Sequence, residues 1–185
     1  IALGFLTVGI VPRSLGSHDY GIYSFITFFF TRLLKFLKFG TNEAFFTFLS
    51  KNQKRTKLIV FFAFFIVLVS VLVNIFILTC FVFNLNNYIW SNTSLTCILI
   101  ASSISLFAFL NSSMRDISDI YNKTIKTELF LIVLNLIYVV ILISMFKLNY
   151  VNIKSVLLLQ LFNMILILSI YLFVLFKVLY SNLKL

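Results

Sequence analysis

The chain has 185 residues, of which 62% are hydrophobic and 11% charged, with a formal net charge of +10. A soluble domain is typically about half apolar and about a quarter charged, so 15 bases and 5 acids are too few to keep 24 phenylalanines in water. The composition excludes an ordinary soluble fold and points to lipid as the surrounding solvent.

The first segment, residues 1–12, is apolar and about half a crossing long, where a full crossing takes about 20 residues. Pro12 and Gly16 close it, since proline ends helices and glycine suits the position just past an end. Ser17, His18 and Asp19 then form a polar turn, with Asp19 placed to cap the next helix. The second segment, 20–39, is apolar but carries Arg32, Lys35 and Lys38. A break at Gly40–Glu43 and an apolar patch at 44–49 lead into a basic connector with Lys51, Lys54, Arg55 and Lys57.

From Leu58 to Met114, 57 residues contain no Asp, Glu, Lys or Arg. This stretch holds two spans, 58–83 and 94–110, around an uncharged turn whose Tyr88 and Trp90 read as interfacial anchors. A polar connector, 111–128, follows, and then spans 129–146 and 155–176. The apolar runs do not alternate, which selects helices over a barrel, and a helix satisfies its own backbone inside lipid. The expected fold is an all-α integral membrane protein. It is a single polytopic bundle over residues 1–185, with a truncated first helix and about five further transmembrane helices.

The connector at 51–57 carries four cations, 84–93 none and 111–128 three. The positive-inside rule therefore places 51–57, 111–128 and the C-terminus in the cytoplasm and the turn at 13–20 outside. The same distribution explains the positive charge without nucleic acid, and no aromatic-plus-basic RNA motif is present. Cys80 and Cys97 flank the turn between two spans and read as buried thiols rather than a disulfide. No metal-ligand spacing, nucleotide loop or catalytic constellation occurs. His18 is the sole histidine, with no nucleophile or second ligand beside it. Neither a cofactor nor enzymatic chemistry is expected.

Arg32, Lys35 and Lys38 project within an arc of about 120° on one helix. If that helix enters at Tyr20 from outside, Arg32 lies about 18 Å and Lys38 about 27 Å along a hydrocarbon core of about 30 Å. A cation at the bilayer centre costs about 2.5–3.5 kcal/mol. Two readings are open: long stems snorkelling to the cytoplasmic interface, or a cationic wall in a water-filled cavity. Glu43 is the one acid beside a span without a polar connector around it, and a coupling role is open to it. Asn74, Asn135, Gln160 and Asn163 lie within spans, where such side chains join helices.

The stretch Arg13-Ser14-Leu15-Gly16-Ser17-His18-Asp19-Tyr20-Gly21-Ile22-Tyr23 reads as Arg, one residue, Leu-Gly, three residues, then Tyr-Gly-x-Tyr. It resembles the start of the bacterial polysaccharide flippases, the O-antigen and capsule repeat-unit exporters of the MATE-like superfamily. Phe39-Gly40-Thr41-Asn42-Glu43-Ala44 and the basic connector after it resemble the family's next passage. The resemblance implies a MATE-like amino-terminal lobe. It also implies a missing second lobe or partner bundle, a place in the bacterial cytoplasmic membrane, and transport of an anionic lipid-linked oligosaccharide. Under it Arg32, Lys35 and Lys38, with Arg13 at the outer turn, would meet the lipid pyrophosphate, where arginine binds oxygens in bidentate fashion. The competing functions are a multidrug or cation antiporter of the same superfamily, a membrane enzyme of polysaccharide assembly, and a structural bundle. Antiport usually calls for an intramembrane acid. By the span limits above, all five acids flank spans or lie in connectors.

Overall fold

The computed structural model describes residues 2–38, 40–51, 56–90, 93–148 and 150–183. Ile1, Phe39, Lys54 and Arg55, on which readings above fall, lie outside the described residues. The described chain is all-α: α1 (Ala2–Lys38), α2 (Thr41–Lys51), α3 (Thr56–Val82), the short α4 (Asn86–Ile89), α5 (Leu95–Ile120), α6 (Thr124–Lys147) and α7 (Ile153–Leu183). Four helices are long and apolar enough to cross a membrane, at Val60–Val82, Leu95–Ile120, Thr124–Lys147 and Ile153–Phe176. The protein is a polytopic helix bundle.

The helices differ in what surrounds them. In α3 the buried residues Phe62, Val69, Val73, Ile77 and Cys80 form one stripe at helical spacing, while Phe61, Phe64, Val67, Val71 and Leu78 stand exposed. A helix apolar all round with one buried stripe has lipid on its remaining surface. In α5 the small and polar residues Ala101, Ser102, Ser105, Asn111, Ser113 and Ser118 are all buried. Small side chains let membrane helices approach closely, and α5 is the hub of the bundle. It packs most extensively against α7, and α1 also packs on it. Cys80 and Cys97 are free, buried thiols, in keeping with the sequence reading.

Three features depart from the sequence reading. The first helix does not close at Pro12. Helical structure runs through Pro12 into the second segment, and only Gly16 (φ 76°, ψ 171°) leaves it. A membrane helix tolerates proline where other groups meet the carbonyl it frees, and beside the kink Ser14 Oγ donates to Val11 O at 2.9 Å. The break is one glycine wide, so Ser17, His18 and Asp19 are helical rather than a turn. Val11, on the far side of the break, shares a cluster with Tyr20, Tyr23, Leu142 and Val156.

Second, residues 111–120 continue α5, and the turn shrinks to Tyr121–Lys123. Polar residues do not end the helix because they find partners across it. Asn111 donates to Met164 O on α7 at 3.0 Å, Ser113 to Asn42 Oδ1 on α2 at 3.4 Å, and Ser118 pairs with Thr127 on α6 at 3.0 Å. Third, Trp90 is no interfacial anchor. It is 2% exposed and packs against Phe29, Phe30 and Phe76 at centroid distances of 5.5, 5.8 and 6.2 Å. Tyr88 does stand out from the bundle.

Gly16 has no heavy atom within 4 Å of where a Cβ would stand. Gly16→Ala therefore tests backbone conformation alone. At this φ the substitution is expected to cost about 1–3 kcal/mol, read as a lower thermal midpoint in detergent. Gly21→Ala, at a helical glycine with equally open space, should be neutral or stabilising.

Candidate functional site: a polar lane along the first long helix

In the second arm of α1 the residues Tyr20, Ser24, Thr27, Thr31, Lys35 and Lys38 recur every three or four positions. They fall within about 80° of one another at about 100° per residue. This strip runs between the buried face of Ile26, Phe30 and Leu34 and the exposed face of Phe25, Phe28 and Phe36. The hydroxyls return to their own helix: Ser24 to Gly21 O at 3.1 Å, Thr27 to Tyr23 O at 2.8 Å and Thr31 to Thr27 O at 2.7 Å. Such back-bonding lets Ser and Thr sit within an apolar helix. Two contacts tie the strip to its neighbours. Tyr23 donates to Gln160 Oε1 on α7 at 2.8 Å, and Thr31 meets Ser105 Oγ on α5 at 3.5 Å.

Clefts follow the strip. At its start a cleft of about 250 Å³ is lined by Val11 and Pro12 of the first arm, Tyr20, Tyr23, Tyr138 of α6, and Gln160, Asn163 and Met164 of α7. A second, of about 720 Å³, shares Tyr20, Tyr23 and Gln160 and continues along Ser24, Thr27, Phe28 and Thr31. At the far end a third, of about 510 Å³, is lined by Lys38, Asn42, Glu43, Phe46, Thr47, Ser112, Asp116 and Asp119. The polarity is graded: phenols, amides and hydroxyls at one end, charges at the other.

The cations singled out from sequence fall into three settings. Arg32 is exposed and stacks its guanidinium over the Phe28 ring, 4.6 Å from the centroid. Lys35 is exposed on the strip. Lys38 turns inward, with Nζ 4.3 Å from the Phe109 centroid, and shares the third cleft with Glu43, Asp116 and Asp119. Arg13 is exposed on the other arm of α1, beyond the Gly16 kink. The structure thus brings Lys38 and Glu43 into one cleft, keeps Lys35 one turn and Arg32 nearly two turns nearer the middle of the helix, with Arg32 on the phenylalanine face beside the strip, and leaves Arg13 apart from both.

The acids are distributed differently from the sequence reading. Asp116 and Asp119 lie within α5 and Glu128 within α6, because α5 runs about three turns past the span limit read from hydropathy. Arg115 pairs with Glu128 at 2.8 Å and so joins α5 to α6. Sequence reasoning gave no site role to Tyr20, Tyr23, Tyr138 or the carboxylates of α5. The two tyrosines belong to the Tyr-Gly-x-Tyr motif, and that motif was the available signal. In the longer Arg13–Tyr23 stretch Gly16 makes the kink, and Tyr20 and Tyr23 line the clefts.

A helix bundle with an apolar exterior and several long apolar helices is the make-up of a multi-pass membrane protein. A sequence profile described as polysaccharide biosynthesis protein matches residues 1–184. The chain belongs to that family, the polysaccharide flippases, in agreement with the Arg13–Tyr23 motif. Comparison with curated proteins and with solved structures returned no match.

Proposed function

We propose that the chain is one lobe of a flippase-type transporter that moves lipid-linked oligosaccharide across the bacterial cytoplasmic membrane for surface polysaccharide assembly. A second bundle would face it across the lane, since alternating access rocks one bundle against another. The observation that carries the reading is the placement of Arg32 and Lys35. Both are exposed cations, Lys35 on the lane and Arg32 beside it on the face of exposed phenylalanines, stacked on Phe28. A pyrophosphate diester gives these cations a reason to stay in an apolar setting, and arginine offers it a bidentate fork. No bond in the substrate is made or broken. The C-terminus lies in the cytoplasm, so substrate enters at the Lys38 end. The test is export in cells that depend on the full-length transporter. Loss of Arg32 and Lys35 should leave lipid-linked oligosaccharide on the cytoplasmic leaflet, and unchanged surface polysaccharide would refute the proposal.

The third cleft favours a second reading for part of the molecule, ion coupling through Glu43. Three carboxylates and Lys38 line one small volume, and such a group changes its charge when a proton or sodium ion arrives. Glu43→Gln is expected to weaken the dependence of export on the ion gradient by about threefold or more while leaving substrate binding intact. An unaltered gradient dependence removes Glu43 from this role.

A further inference from the structure

We infer that the outer end of the lane is a saccharide subsite, formed by Tyr20, Tyr23, Tyr138, Gln160 and Asn163, separate from the cations that would hold phosphate. The inference rests on the flippase reading for the sugar's attachment to a lipid. The binding of sugar itself follows from the chemistry of the cleft.

Four observations support it. The two outer clefts share Tyr20, Tyr23 and Gln160, and the larger, of about 720 Å³ beside one of about 250 Å³, is of the size of small-molecule sites, roughly 300–1,000 Å³. Their lining contains no ionised side chain, so they offer no countercharge to an anion, and hydroxyls and amides set beside Phe25, Phe28 and Met164 suit a ligand that is both hydroxylated and partly apolar. Phenols and carboxamides both donate and accept, as sugar hydroxyls do. The Tyr20 and Tyr23 rings lie 6.2 Å apart at 30° and present flat apolar faces of the kind a pyranose ring covers with its C–H groups.

The decisive observation is Asn163. Its side chain is 91% buried and lines the cleft, yet its Oδ1 has no hydrogen-bond partner. A buried acceptor left unsatisfied is costly, and helix joining does not account for it. Gln160, one turn earlier on α7, already joins α7 to α1 through Tyr23. A ligand hydroxyl entering the cleft would supply the donor that Asn163 lacks. The Gly16 kink takes part too, because it brings Val11 and Pro12 of the first arm over this end of the lane.

The test is saturation-transfer NMR on the detergent-solubilised chain. The probes are three free, uncharged disaccharides (lactose, maltose and diacetylchitobiose), with inorganic pyrophosphate as a separate probe. Transfer to the ring protons of at least one disaccharide is expected. It should fall at least fivefold in Asn163→Leu and in Tyr138→Phe, and change less than twofold in Arg32→Ala. Asn163→Leu removes the unsatisfied acceptor, so its thermal midpoint should match or exceed the parent's. Tyr138→Phe keeps the ring and serves if the leucine variant misfolds. No transfer to any of the three sugars, or equal transfer to both variants, overturns the subsite. The pyrophosphate arm separates this outcome from the fate of the flippase reading. Pyrophosphate binding that depends on Arg32, without sugar binding, leaves that reading standing and the subsite refuted. Sugar binding, with export indifferent to Arg32, leaves the subsite standing and the flippase reading refuted.

Discussion

Arg32→Ala is expected to reduce export of lipid-linked oligosaccharide by about tenfold or more, and Lys38→Ala by less than about threefold. The two residues lie two turns apart on one helix and carry the same charge, so only their settings separate them. Arg32 is exposed, with its guanidinium plane resting on Phe28, which leaves its N–H fork free to meet a pair of phosphate oxygens. Lys38 is half-buried against Phe109 and shares its cleft with three carboxylates. Its charge is already answered within the protein. Losing hydrogen bonds to a charged group costs about 1.5–3 kcal/mol, which is roughly 10- to 150-fold in rate if the contact matters in the rate-limiting state. Arg32→Lys should recover part of the loss, because it keeps the charge and forfeits the bidentate geometry. The measurement is the ratio of cytoplasmic-leaflet to exported lipid-linked saccharide in cells expressing each full-length variant at equal level. Equal export by the two alanine variants removes Arg32 from the binding site.

Trp90→Ala should destabilise the bundle by about 3–5 kcal/mol, the range for truncating a buried aromatic side chain. An interfacial tryptophan would lose far less. Trp90 stands where Phe29 and Phe30 of α1 and Phe76 of α3 converge, within the cluster that also holds Ile98 and Ala101 of α5. Its truncation would open a cavity at the junction of three helices. Its indole N–H is buried without an acceptor, so Trp90→Phe keeps ring packing and removes an unsatisfied donor. That variant should be close to the parent or better. Tyr88→Ala, two residues away and 88% exposed, should fall within about 0.5 kcal/mol of the parent. Thermal unfolding in detergent, followed by far-ultraviolet circular dichroism, ranks the three. A Trp90→Ala protein as stable as Tyr88→Ala would place Trp90 at the surface.

The membrane class was legible in the sequence because lipid filters composition strongly. The stretch from Leu58 to Met114 without a charge has few other readings. What hydropathy missed were boundaries set by partners rather than by solvent. Residues 111–120 look like a connector because Asn and Ser are polar, yet they stay helical because Asn42, Met164 and Thr127 meet them. Trp90 looks interfacial because its neighbours are polar, yet three phenylalanines enclose it. At the candidate site, the cations stood out as exceptions in an apolar helix. The phenols and amides did not, since Tyr138, Gln160 and Asn163 are ordinary residues until the fold gathers them. The meeting of Lys38 and the carboxylates of α5 in one cleft was equally hidden. It depends on two segments more than 70 residues apart meeting at one end of the bundle.

The buried polar groups of α5 also bear on how the bundle is put together as it is made. α3 has no charge beyond its first turns and one buried stripe, so it can rest in lipid alone as soon as it leaves the insertion machinery. α5 cannot do so at the same cost, because Asn111, Ser113 and Ser118 would face hydrocarbon without their partners. Asn42 precedes it in synthesis, but Thr127 and Met164 arrive later. α5 therefore has to be held near its insertion site, or against α1 and α2, until α6 and α7 emerge. A chain stalled so that residues up to Ile120 have left the ribosome while α6 and α7 have not should still be extractable or chaperone-bound, and the released chain should not be.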